Sequence, residues 1–211
     1  MSPEKGELLG GAVKREDRVL KDSPVVAIEP RSSQEVVIPK NWALLTHGTN
    51  LGKIEWAGEK TKQLDENILI VGKRGLSVVG ERERKDVERQ KEYLKQQGIG
   101  SGSFSTTEGY STGGSNILII NVIFPEFNSR EKEFKDIRGS WVKKHGQETA
   151  NSFAEIVDQV YWKNIQSGRH PILPNGFVLK KVEDKITDGK RLITYIPESL
   201  IDLYNSEINT Q

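Results

Sequence analysis

The chain contains no cysteine. That absence excludes disulfides, zinc–thiolate centres, iron–sulfur clusters and thiol nucleophiles together. Histidine is nearly as scarce. His47, His145 and His170 are the only three, and they are far apart in the sequence. No metal site and no cofactor are therefore expected. Long apolar runs are missing too. The longest, Ile117 to Phe124, is broken by Asn121 and falls far short of the ~20 residues that cross a bilayer. The segment Met1 to Lys21 alternates Glu, Lys, Arg and Gly with no apolar stretch, so no secretory signal is read there. The expectation is a soluble, intracellular protein without a membrane partner. Charge of one sign is also lacking. Thirty-one basic residues face 30 acidic ones, a net charge of +1. No whole-chain field attracts a polyanion, so any contact with DNA or RNA must be local.

What remains is a 211-residue chain with a modest apolar content. Apolar residues plus glycine make up roughly 42%, a little under the usual ~45–50%. Residues 1–22 read as a flexible arm, within which Val13 to Leu20 could form a short helix on a partner. Residues 23–211 read as a single domain, with a subdivision, if any, at the loop described below. Short β-branched runs bounded by Pro and Gly predict strands at Val25–Ile28, Glu35–Ile38, Lys53–Trp56, Ile68–Val71 and Leu76–Val79. Trp42 to Leu45 is ambiguous between helix and strand. Glu81 to Gln97 is rich in Glu, Arg, Lys and Gln and predicts a charged helix with a thin apolar stripe. Asn116 to Phe124 predicts a central strand covered on both faces.

Gly98 to Ser115 is a Gly/Ser-rich stretch of about 18 residues, longer than ordinary connections. Its aromatic residues, Phe104 and Tyr110, are the ones a protein partner would bury. It contains no Lys or Arg and follows a helix rather than a strand, so it does not read as a phosphate cradle. Further on, a short helix is predicted to about Arg138 and an amphipathic one over Thr149 to Gln166. A hairpin is predicted around Thr187-Asp188-Gly189-Lys190, and a last helix over Glu198 to Glu207. Trp141 and Trp162 read as core or interface anchors. Strands, helices and hairpin do not alternate regularly. The expected fold is α+β, a mixed or antiparallel sheet with helices on one side.

Three strings carry candidate chemistry. Val71 to Val78, with Gly72, Lys73, Arg74 and Gly75 inside it, resembles the GxxG loop of KH domains, which clamps a nucleotide backbone. The resemblance covers about ten residues, and the β-forming flanks read instead as a hairpin with Lys73 and Arg74 at its tip. Pro125-Glu126 followed by Glu133-Phe134-Lys135 resembles the acid and acid-x-Lys pattern of metal-dependent nucleases. His47-Gly48-Thr49 resembles a subtilase string, but no matching serine or aspartate motif accompanies it. Near the C-terminus, Lys180, Lys181, Lys190 and Arg191 form a basic group, as the wing of a winged-helix-like unit would. The expectation is a non-enzymatic binding or assembly subunit with protein partners. It uses Phe104 and Tyr110, with nucleic-acid contacts at Lys73, Arg74, Lys180, Lys181, Lys190 and Arg191. The alternative is a metal-dependent nuclease or related hydrolase using Glu126, Glu133 and Lys135.

Overall fold

Trp42–Asn50 is the first strand, β1, of a mixed sheet. In the computed structural model, residues 36–50, 61–63, 67–99 and 117–210 are described. All of them belong to one unit, Gln34–Gln211. The other strands are β2 (Thr61–Gln63), β3 (Ile68–Val71), β4 (Leu76–Ser77), β5 (Ile117–Pro125), β6 (Ile172–Leu173), β7 (Val178–Thr187) and β8 (Lys190–Pro197). Six of them form one sheet in the order β1-β5-β8-β7-β3-β2, and β4 pairs separately with β6. The β5–β8 ladder is parallel and the others are antiparallel. The helices are α1 (Glu81–Gln96), α2 (Lys132–His145), α3 (Gln147–Val157), α4 (Lys163–Gln166) and α5 (Ile201–Ile208). The fold is α+β.

Residues paired across a ladder share a face, and neighbours along a strand do not. The ladders therefore place Leu45, Val122, Tyr195, Leu179 and Leu69 on one face, and all five are buried. Val122, Ile123 and Phe124 are consecutive and each is 0% exposed, so the end of β5 is covered on both faces. Trp141 stands edge-on to Phe134 and Phe153 and donates its indole N–H to Glu207 Oε1 at 3.1 Å, which ties α2 to α5. No helix among the described residues is long and apolar enough to cross a membrane.

Several expectations are corrected. Glu35–Ile38 is not a strand over its described residues; the carbonyl of Val37 accepts the Tyr204 hydroxyl at 2.8 Å in place of a ladder partner. Ile68–Val71 and Leu76–Val79 are not the two arms of one hairpin. A turn closes with Gly75 N–H on Gly72 O, and Gly75, at φ 70°, redirects the chain so that β3 joins β7 while β4 joins β6. The helix expected to end near Arg138 runs on to His145, because its next turn buries Trp141. The amphipathic helix is interrupted by a π-helical turn, Asp158–Trp162. The last helix opens with a 3₁₀ turn, Glu198–Leu200. The winged unit does not form: β7 and β8 are inner strands of the large sheet. The arm 1–22, the runs Val25–Ile28 and Lys53–Trp56, and the Phe104–Tyr110 loop lie outside the described residues.

Candidate functional site

The hairpin turn Asp188-Gly189 has positive φ at both residues, 52° and 72°, as a tight two-residue connection requires. It sets the β7–β8 register, and the register sorts the basic group. Lys180 pairs with Ile196 and Lys181 with Tyr195, so the two lysines point to opposite faces. Lys181 shares a face with Arg191; Lys180, Lys185 and Lys190 share the other. The structure therefore divides this group between two faces.

Carboxylates occupy much of it. Arg191 donates to Asp184 through Nε at 3.0 Å and Nη2 at 2.7 Å, a bidentate pair, and Lys181 Nζ is 3.5 Å from the same carboxylate. Burial pushes the Asp184 carboxyl up, but the hydrogen bonds and charges of Arg191 and Lys181 outweigh it and hold the group below its ordinary value. On the other face Lys185 Nζ meets Glu183 Oε1 at 3.0 Å, and Thr194 Oγ1 donates to Glu183 Oε2 at 3.0 Å. Lys73 and Arg74 stand exposed at the Gly72–Gly75 turn, on a different part of the chain.

The outer edge of β7 is the hairpin's second feature. β3 pairs only with residues 178–180, and Lys181 N–H reaches Asn67 O. From Glu183 to Thr187, β7 pairs among the described residues only with β8. A β-bulge lies between Lys181 and Glu183 and leaves Val182 as the extra residue. Val182 is 44% exposed and Ile186 78%.

A second site lies at the start of α1. Glu83 is 1% exposed, and Tyr161 donates its hydroxyl to Glu83 Oε1 at 2.8 Å. Tyr161 is carried by the π-helical turn, a form concentrated at functional sites. Asn164 Nδ2 caps the widened ladder there by donating to Val160 O at 3.0 Å and Gln159 O at 3.3 Å. Glu126, just past β5, lies close enough to Glu83 to feel its charge. Burial, and then the charge of Glu83, raises the Glu126 carboxyl above its ordinary value. Burial and Glu83 also raise the Tyr161 phenol, which keeps it a donor. Arg82 faces the outer side of the cluster. It lies 3.7 Å from Glu126, 3.8 Å from Glu131 and 4.0 Å from Asp86.

Of the expected hydrolase residues, only Glu126 joins this cluster. Glu133 and Lys135 are exposed on α2. Acid-x-Lys puts both side chains on one face of a strand, whereas two residues apart on a helix they diverge by about 200°. The acid that does meet Glu126 is Glu83, hidden in a run of charges. The signal that could have found it is its spacing: Glu83 and the buried Val87 are four apart on one side of α1. Among the described residues, no three His, Asp or Glu side chains are grouped to hold a metal ion.

One more buried polar group sits on the large sheet. Thr46, Asn121, Thr194 and Glu183 are paired in a row across β1, β5, β8 and β7. Asn121 is 4% exposed, and its Oδ1 accepts no hydrogen bond.

Comparison with protein-family models, with curated proteins and with solved structures gave no match.

Proposed function

We propose that the chain is a non-enzymatic binding subunit that joins a larger intracellular assembly, and that it docks through the β7 edge. The observation that carries this reading is the edge itself. Five consecutive residues, Glu183 to Thr187, pair on one side only among the described residues, and Val182 and Ile186 are exposed to solvent. Such an edge is a template for an added strand. A protein partner is favoured over nucleic acid there, because Lys181, Lys185 and Arg191 already face carboxylates. The exposed Lys73 and Arg74 are the better candidates for a local phosphate contact.

The test is size-exclusion of the tagged chain in extract of its source cells. Wild type is expected to elute in a complex, and Ile186→Lys to shift toward the single chain. Elution of wild type as a single chain overturns the reading. Nucleic-acid contact through Lys73 and Arg74 predicts binding that weakens steeply with salt and is lost in the double alanine variant.

A second reading, a hydrolase, is favoured by the Glu83–Glu126 pair. A half-buried carboxyl with a raised proton affinity, beside a second carboxyl, can serve as a general acid. Cleavage of DNA or RNA with Mg²⁺ or Mn²⁺, lost in Glu126→Gln, would establish it in place of the first.

A further inference from the structure

We infer that the β7 edge pairs with the same edge of a second copy of this chain, antiparallel and centred on Asp184. This rests on the assembly reading above and names its partner. When two identical strands pair antiparallel, the two-fold axis is perpendicular to the sheet, and paired residues share a face. Beyond the bulge faces alternate along β7, so the axis must pass through a residue.

Three such centres lie in the middle of the edge. Centring on Glu183 sets the two Glu183 side chains against each other and Val182 against Asp184. Centring on Lys185 sets the two Lys185 side chains against each other and Asp184 against Ile186. Centring on Asp184 sets Glu183 against Lys185 and Val182 against Ile186, each twice. Opposite charges and apolar pairs placed directly across a ladder stabilise it, and like charges destabilise it. Each centre puts a like-charged pair on the axis, and only the third flanks it with opposite-charge and apolar pairs. The two Asp184 carboxylates that meet at its axis are each already held by Arg191 at 2.7 Å and Lys181 at 3.5 Å of their own chain. Charges and a bulge ordinarily keep an edge from pairing indiscriminately; at this edge they select one register. The strand is short, so the dimer is weak and depends on concentration.

The absence of cysteine makes the test clean. Oxidised Val182→Cys/Ile186→Cys is expected to run as a covalent dimer, because each new thiol faces its counterpart in the other copy. Each single variant is expected to stay uncross-linked. Light scattering of purified wild type is expected to show mass rising with concentration, and Ile186→Lys or Lys185→Glu should raise the dimer dissociation constant at least about fivefold. Both positions are exposed, and circular dichroism confirms that the variants fold. Wild type that stays monomeric, or a dimer that the double-cysteine variant fails to cross-link, overturns the inference. The assembly reading then stands or falls separately: it survives if the chain in extract is still complexed and Ile186→Lys releases it.

Discussion

Tyr161→Phe isolates one bond that no single segment of the sequence contains. The hydroxyl donates to Glu83 Oε1 at 2.8 Å across 78 positions of chain, and Glu83 is 1% exposed. The substitution removes one oxygen and leaves the ring, so the cavity term stays small. What is lost is a hydrogen bond to a carboxyl group in a site water does not reach. Bonds of that kind contribute about 1.5–3 kcal/mol when the acceptor is charged. The expected loss of stability is therefore about 2 kcal/mol. Urea unfolding measures it. With a slope of about 2 kcal/mol/M, the midpoint should fall by about 1 M while the slope is unchanged. Glu83→Gln supplies the second arm. It keeps an acceptor for Tyr161 but removes the Glu83 charge that faces Glu126. A double-mutant cycle should give a coupling of at least about 0.5 kcal/mol, since the groups touch. A loss under about 0.5 kcal/mol in Tyr161→Phe, or strictly additive variants, would refute the reasoning.

Three further outcomes follow from the same structure. Glu126 binds its proton more tightly folded than unfolded, so its stabilisation is complete below the ordinary carboxyl range and is lost as pH rises through the raised folded value. Glu126→Gln should flatten that decline in urea midpoints measured across pH, and parallel curves for variant and wild type would contradict it. Gly75→Ala should cost at least about 2 kcal/mol in the same assay, because φ is 70° and the new methyl would meet Leu173 O at 2.9 Å; wild-type stability in this variant would show that the turn relaxes freely. Asn121→Val should raise stability by about 1 kcal/mol, since Oδ1 is buried without a donor and β-branched residues suit a strand. A lower midpoint would show that the amide is engaged.

Much of the architecture is legible in single segments. The β5 run is apolar almost throughout and is buried on both faces at its end. The Asp188-Gly189 dipeptide forms the turn its chemistry requires. The charged helix begins at Glu81 and buries a narrow side that includes Glu83 and Val87. The misreadings have a common cause. Ile68–Val71 and Leu76–Val79 have the composition of a hairpin, but pairing partners are chosen by distant chain: β7 for one and β6 for the other. Val36 and Val37 are β-branched, yet a tyrosine hydroxyl takes the Val37 carbonyl. The π-helical turn leaves no composition signal.

The candidate sites divide in the same way. Lys180, Lys181, Lys190 and Arg191 look like one basic group along the sequence. Strand alternation splits them between two faces, and Asp184 and Glu183 take three of the neighbouring cations as partners. Glu126 was legible as an acid at the end of a strong strand, but its companion is Glu83 and not Glu133.

The sequence by itself determined what is local: the missing thiol chemistry, the helical and β-forming runs, and the turn that sets the hairpin register. Tertiary structure alone decided which part of β7 pairs on one side only among the described residues and which buried carboxyl faces Glu126. Composition and spacing act over a few residues, whereas burial and charge pairing depend on which surfaces the finished fold brings together.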